Sequence, residues 1–561
     1  MKKTIWGVLI VLLLNLALYF QTVGFDFILD DRPLILENAQ QYRDLTAFAR
    51  SLGRPYFDDP AFPLQHYWRP VSGFSFFLDF QLYGAKPAGY HLTNILLNAL
   101  NGILLFLLIY GWAGRWMPAL LSALLFSLHP LHAENVAWIS GRPDLLVMLF
   151  VLLTLLALLR YHRTRRALFY WLSVPAFTLA LLAKETAVFA LLLVPAILLF
   201  VRARKKWLVH SLPYFAAGGW YLLFHLQVTG MPGSDGPVFP PPGMLLRTLG
   251  AYGRMIFLPY FKGPFYDMGE FDRLATINLL IGVFFIVTVI LLILNRRRWP
   301  FSFIALGSLV FLAGVINPHL VHYPNLSIRY VYIPVLLAAV LAGEWATQKW
   351  GQEKGGLPRY LPLVLVIVIG ATWAVENIYY QGFFREEAAR IERLHRLFPG
   401  EDSLLIHMGV MAYNRGDLNR ALEYLDRGIV ENRHNPWIDF SFKARILKAR
   451  IFTEQGRYPP ALGEIDHALN SGDRSADEKV TALMVLMEIQ QRRGDFRSAL
   501  SAVNRALKIQ EDPGLLLRKI DLQIRLGDMA GARKTLREAA HRYPRMRDLD
   551  RFQHLLRQAE R

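Results

Sequence analysis

Long apolar runs recur from the N-terminus to residue 376 and then stop. A helix needs about 20 apolar residues to cross roughly 30 Å of hydrocarbon. Runs of this kind lie at 4–20, 91–111, 117–131, 144–160, 168–183, 186–201, 207–226, 276–294, 301–317, 330–347 and 360–377. From residue 383 onward charged residues crowd in instead. Such a partition excludes a single soluble globule and a disordered chain. It predicts an all-α protein in two parts: a polytopic membrane domain over 1–380 with about 11 transmembrane helices, and a soluble domain over 381–561. The first run follows Lys2 and Lys3 as in a signal peptide. Tyr19, Phe20 and Gln21 are poor cleavage residues, so it is read as an uncleaved anchor.

Net charge is +18, from 62 basic and 44 acidic residues. The basic residues bunch in alternate short loops, which explains the excess without nucleic acid. With a cytoplasmic N-terminus, the inner loops hold Arg115; Arg160, Arg163, Arg165 and Arg166; Arg202, Arg204, Lys205 and Lys206; Arg296, Arg297 and Arg298; and Lys349, Lys354 and Arg359. The short outer loops hold Arg142, Lys184 and Arg329 alone. This bias orients the chain in the bilayer and puts the C-terminal domain outside, periplasmic for a bacterial inner membrane. Two outer loops are long, 21–90 and 227–275. Residues 69–83 and 245–261 interleave aromatic and polar residues as interfacial helices do. Residues 231–243 hold five prolines and read as a turn-rich stretch. The chain has no cysteine, which removes disulfides, thiolate catalysis and Cys-ligated zinc.

A degenerate repeat fills 403–544. Gly416, Gly456, Gly494 and Gly527 recur at intervals of 40, 38 and 33 residues. Each is followed by an alanine five residues on (Ala421, Ala461, Ala499, Ala532) and by a small residue seven further (Gly428, Ala468, Ala506, Ala539). Leu425, Ile465, Val503 and Leu536 fall between them. The pattern resembles the tetratricopeptide repeat, a helix-turn-helix unit of about 34 residues. An α-solenoid of about four such repeats offers a concave surface for peptides or proteins. From residue 383 on, basic residues number 32 and acidic ones 26, too even a balance for a nucleic-acid surface.

Candidate chemistry lies in the outer connections. Asp30 and Asp31 follow the first span by about ten residues, amid apolar neighbours. Either could take a proton from a hydroxyl, and either could instead cap a helix before Pro33. His129, His132, Glu134 and Asp144 sit at the outer ends of two spans, where polar groups are costly and usually functional. The histidines lack the i, i+4 spacing of a zinc helix and read as hydrogen-bonded helix ends, with no metal assigned. Lys184 and Glu185 break two spans, and Arg329 with Tyr330 opens another. Arg142, Lys184 and Arg329 thus share one depth with the acidic pair, an arrangement suited to a phosphate-bearing lipid donor. Each cation alone could simply snorkel to the headgroups.

The motifs Phe27-Ile28-Leu29-Asp30-Asp31, Arg69-Pro70-Val71-Ser72 with Gly89-Tyr90-His91-Leu92-Thr93-Asn94, His129-Pro130-Leu131-His132-Ala133-Glu134 with Gly141-Arg142-Pro143-Asp144, Ala183-Lys184-Glu185 and Arg329-Tyr330-Val331-Tyr332-Ile333-Pro334 occur in this order before the repeats. In this the chain resembles the transmembrane and tetratricopeptide-repeat-containing (TMTC-like) O-mannosyltransferases of the GT-C glycosyltransferases. The resemblance implies inverting transfer of a sugar, such as mannose, from a polyprenyl phosphate to a hydroxyl on the outer face. It implies a Ser or Thr acceptor held through the repeats. It also implies an undecaprenyl- or dolichyl-phosphate sugar as donor, with undecaprenyl the expectation for a bacterial chain. Asp30 or Asp31 would be the base. Arg142, Lys184 and Arg329, helped by Arg69, would hold the phosphate. His91, His132, Glu134, Asp144, Glu185 and Tyr330 would shape the pocket or orient the base. A divalent metal replacing one cation is compatible with this scheme but not required by it. Two rival readings are transfer to a lipid or surface polysaccharide and a non-catalytic membrane scaffold recruiting proteins through its repeats.

Overall fold

The computed structural model describes residues 2–56, 67–192, 194, 198, 207–229, 242–259, 273–294, 307, 312, 328–348, 361–432, 441–470 and 476–543. Among these the regular structure is helical, and the chain divides into two units, Met1–Arg393 and Leu394–Arg561. The first unit is a polytopic helical membrane protein. Lys2–Gly24, Pro87–Ala113, Ile139–Thr164 and Leu361–Phe384 are each long and apolar enough to cross a bilayer. Trp116–Leu128, Ala167–Ala183 and Val335–Gln348 are shorter apolar helices, and Trp207–Thr229 and Ala275–Leu294 accompany them. Trp116–Leu128 has 13 residues, a reach of about 20 Å. It falls short of the bilayer, and the chain goes on to a further short helix, His132–Ala137. The expected run at 186–201 opens as a 3-10 helix, Glu185–Leu192, rather than an α-helix. The rest of that run lies mostly outside the described residues. So do most of 301–317 and the basic clusters at 202–206, 296–298 and 349–359.

Lipid supplies no hydrogen bonds, so polar groups inside such a bundle must satisfy one another. Asn98 Nδ2 donates to Asn15 Oδ1 at 2.7 Å, and Asn15 Nδ2 donates to Ser127 Oγ at 2.9 Å. The Tyr332 hydroxyl donates to Asn98 Oδ1 at 2.7 Å and accepts from Asn101 at 3.0 Å. Asn377 donates to the Tyr19 hydroxyl and to the His129 carbonyl, both at 2.8 Å. These bonds tie the first and last helices of the unit to its centre. Gly343 lets Val335–Gln348 cross Trp116–Leu128 closely: a Cβ there would meet the Pro118 carbonyl at 2.9 Å. Of the two interfacial helices expected, Pro70–Tyr83 follows the expected bounds, and Pro242–Phe257 covers most of 245–261. Residues 231–241 of the proline-rich stretch lie outside the described residues, and Pro242 opens the helix.

The second unit contains four consecutive helical hairpins: Asp402–Asn414 with Leu418–Asn432, Ser441–Glu454 with Tyr458–Asn470, Ala476–Arg493 with Phe496–Ile509, and Pro513–Arg525 with Met529–Arg542. Each hairpin turns on a glycine of the repeat. Gly416, Gly456, Gly494 and Gly527 have φ between 72° and 86°, a region that a Cβ disfavours. Asp495 and Asp528, one residue past their glycines, accept backbone N–H bonds from Ser498 and Gly531 and cap the second helices. Ala421, Ala461, Ala499 and Ala532 are fully buried where the paired helices approach.

Candidate active site

The two adjacent carboxylates have different environments. The chain leaves the first helix through a 3-10 turn, Phe20–Gly24, and reaches Leu29, whose φ of 49° is left-handed and not glycine. A bulky residue in that region stores strain, and such strain gathers at functional sites. The next two residues diverge. Asp31 is fully buried. Its Oδ2 accepts from the Ile28 backbone at 3.1 Å, and its Oδ1 accepts from the Ser140 backbone at 2.8 Å and the Ser140 hydroxyl at 2.5 Å. It does not cap the π-helical turn Arg32–Glu37 that follows it. Its side chain turns back and across, and pins the loop after the first helix to the 139–141 turn. Asp30 is half-buried. No donor is placed on its carboxylate among the described residues, and Arg329, Arg69 and Arg390 lie within electrostatic reach. Burial raises the Asp30 carboxyl above the ordinary carboxylate range, and the three arginines pull it part of the way back. Burial pushes Asp31 up to about 7, against the lowering pull of the Ser140 and Ile28 bonds.

The cations differ as much. Arg142 is fully buried. Its guanidinium lies 2.6 Å from Asp79, donates to Asn94 Oδ1 at 2.7 Å and to the Tyr90 carbonyl at 2.9 Å, and packs over Phe76. It is therefore sealed inside the bundle and does not stand with Lys184 and Arg329 around the Tyr330 ring. The reason is that Pro70–Tyr83 brings Asp79 inward, a residue the sequence reading passed over. Lys184 pairs with Asp144 at 2.7 Å. Arg69 holds Glu185 in a two-point fork, at 2.8 and 2.6 Å, and stacks over Tyr67. Arg329 is unlike all three. Among the described residues no carboxylate lies within ion-pair distance of it, and its Nε is buried without a partner. Its guanidinium sits 5.0 Å from the Trp138 ring and 5.2 Å from the Tyr330 ring. The Trp138 Nε1 is likewise buried without a partner.

The segment after Leu128 holds Arg329 in place. Glu134 Oε2 accepts from the Arg329 backbone N–H at 3.0 Å, and Asn135 Nδ2 donates to its carbonyl at 3.2 Å. Gly141 allows this: a Cβ there would lie 2.8 Å from the Asn135 backbone. Tyr330 lies between Lys184 and Arg329, with both cations over its ring. His132 contacts the Tyr332 carbonyl at 3.3 Å and packs on Phe126 and Tyr332, and burial holds its pKa well below the usual value. His129 contacts the Ile256 carbonyl at 3.0 Å. His91 packs edge-on against Phe25 deep beside the loop. The two histidines at 129 and 132 thus bind backbone, and no group of three or more His, Asp or Glu suited to a metal occurs among the described residues. Besides Asp79, the residues that went unread in the sequence include Asn135, Trp138, Ser140 and Arg390. Arg390 had a legible signal, a cation soon after the last span and nine residues past the helix Leu361–Gln381, but it sits in the charged stretch assigned to the soluble part.

Around this geometry the chain has known relatives. Residues 75–228 match the family described as dolichyl-phosphate-mannose-protein mannosyltransferase. The protein O-mannosyl-transferase Tmtc1 of Drosophila melanogaster is 35% identical over 184 residues, 32% of this chain and 21% of that protein. Human protein O-mannosyl-transferase TMTC2 is 36% identical over 159 residues, 27% of this chain and 18% of its own length. Human TMTC4 is 29% identical over 210 residues, 33% of this chain and 28% of its own length. The matched part thus spans about a fifth to a quarter of these relatives. Over these segments the chain is similar to the TMTC protein O-mannosyl-transferases.

Proposed function

We propose that the protein is a membrane glycosyltransferase that moves mannose from a polyprenyl-phosphate donor to a Ser or Thr hydroxyl of a protein on the outer face. The observation that carries this reading is the juxtaposition of Asp30, whose carboxylate receives no hydrogen-bond donor among the described residues, with Arg329, whose guanidinium has no carboxylate within ion-pair distance among them. An unsatisfied acceptor and an unsatisfied cation, each held by a rigid frame, are what an acid-base and anion-binding site requires before its substrates arrive.

The donor phosphate lies against Arg329 and the Trp138 N–H. The acceptor oxygen attacks the anomeric carbon from the opposite side, and its proton passes to Asp30. The bond from that carbon to the phosphate oxygen breaks, its electron pair stays on the phosphate, and the anomeric centre inverts. A positioned base of this kind contributes about 10²–10⁴ in rate. Arg69 and Lys184 are already neutralised by Glu185 and Asp144. They serve as walls that hold Tyr67 and Tyr330, and they tune the field at the phosphate. Glu134 and Asn135 fix Arg329, Asp31 fixes the loop of Asp30, and Arg142 fixes the bundle beneath. His91 and His132 support the packing behind them. The helical hairpins are tetratricopeptide-type repeats that present acceptor proteins, and the N-terminus is cytoplasmic. In a bacterium the donor lipid is undecaprenyl phosphate.

The test is mass spectrometry of extracytoplasmic proteins from cells with and without the chain, searched for hexose on Ser and Thr. Loss of a defined set of glycopeptides is the expected result. An unchanged set, with an altered glycolipid or polysaccharide, would overturn the protein acceptor.

A further inference from the structure

The stretch that follows the last membrane helix folds back onto the loop that carries Asp30. Gln381 at the end of that helix donates to the Leu18 carbonyl at 3.1 Å and accepts from Gln21 at 2.9 Å. The Arg385 carbonyl accepts from the Asp26 backbone N–H at 3.1 Å, four residues before Asp30. Arg32, two residues after it, lies 3.9 Å from Glu387. Phe383 and Phe384 are buried between these contacts. Arg390, one turn along the helix Glu387–Leu397, is itself buried, with its guanidinium 5.8 Å from the Phe384 ring.

We propose that Arg390 is a positioning residue for Asp30, so that the turn and helix after the last span form one wall of the reaction centre. The inference rests on the transferase reading above for its meaning, but not for its test. Among the described residues, the charged and titratable groups within electrostatic reach of Asp30 are Arg329, Arg69, Arg390, the neighbouring Asp31 and the Tyr56 phenol. Arg69 is committed to Glu185 through both nitrogens of its fork. Arg329 is the cation that a donor phosphate would claim. Arg390 shares its charge with Glu134, Glu387 and Asp30. It is a cation beside Asp30 that neither the donor phosphate nor a two-point carboxylate fork claims, so it still favours the ionised carboxylate once the donor is bound, which is when a base is needed. Its removal leaves the carboxylate harder to ionise, so the base becomes active only at higher pH.

The experiment uses the purified full chain and variants Arg390→Gln and Arg390→Lys. Infrared difference titration, with the Asp30→Asn spectrum subtracted, reads the Asp30 carboxyl without any substrate. The expected result is an alkaline shift of its midpoint by about 1 pH unit in Arg390→Gln and a smaller shift the same way in Arg390→Lys, whose charge sits on a shorter stem. The acid limb of kcat/KM for transfer moves with the midpoint, while KM for the donor stays near wild type. An unmoved midpoint in a folded Arg390→Gln overturns the proposal. If that variant does not fold, an unmoved midpoint in Arg390→Lys does so. Absence of transfer by the wild-type chain would overturn the transferase reading and leave the infrared result standing.

Discussion

The membrane unit and the hairpin unit both contain charge clusters, and they use them differently. In the hairpins, Lys448 lies between Asp426 at 2.6 Å and Glu464, and Arg445 reaches the same Glu464 at 3.0 Å. The Asp426 side chain there remains 60% exposed, so water shares the load. In the membrane unit, the Arg142 and Asp79 side chains are 0% and 4% exposed, and nothing but the protein compensates them. Charge in the repeats fastens helices that their apolar faces already bring together. Charge in the bundle sets the frame, and two groups within it, Asp30 and Arg329, have no ion-pair partner at contact distance among the described residues. A site is recognised here by what the frame fails to pair.

That contrast can be broken by substitution. Arg142→Met leaves Asp79 buried alone, and the cost is about 3–5 kcal/mol. Thermal melting in detergent should show collapse of the membrane unit with the hairpins still helical. Lys448→Met removes the corresponding cation from the hairpins. Because one partner is exposed, the loss is about 1–2 kcal/mol, read by chemical denaturation followed by circular dichroism. Gly494→Ala, at φ 86°, costs about 1 kcal/mol from backbone strain alone. Asp528→Ala removes one helix cap and costs about 0.5–1 kcal/mol. If Arg142→Met were as mild as Lys448→Met, the distinction between the two units would fail.

A slope rather than a step sharpens the comparison inside the site. The Asp31 carboxyl is raised by burial from 3.8 to about 7. The folded state therefore binds its proton more tightly than the unfolded chain does. Stability from this group is complete below about pH 4 and is lost as pH rises toward 7. Melting temperatures across that window should fall with rising pH in the wild type and fall less in Asp31→Asn.

Much of the architecture was legible in the sequence, because its signals are local. Apolar runs mark helices, and a Gly-Asp pair marks a hairpin turn, since glycine ends one helix in a left-handed residue and aspartate caps the next. The 3-10 start at Glu185 was not legible, because an apolar run does not say which helix it forms. Membership of the cluster was partly legible, since Lys184, Glu185 and Arg329 sit at span ends and Asp30 and Arg69 lie in the long loop between the first two spans. Their pairings were not. Arg142 looks like Arg329 in sequence, as the lone cation of a short outer loop. Only the inward turn of Pro70–Tyr83, which delivers Asp79, separates the two. Asp30 and Asp31 likewise differ by one position, and Ser140, more than a hundred residues away, decides which is tied down.

The central claim is that Asp30 is the reacting carboxylate and Asp31 the structural one. It is tested most directly by single-turnover transfer of mannose from a polyprenyl-phosphate donor to a Ser/Thr peptide, measured for Asp30→Asn and Asp31→Asn beside the wild type. The account predicts that Asp30→Asn keeps its melting temperature and donor binding while its rate falls about 10²–10⁴-fold, and that Asp31→Asn loses rate only as far as it loses fold. A folded Asp30→Asn that transfers within a few-fold of wild type would contradict it.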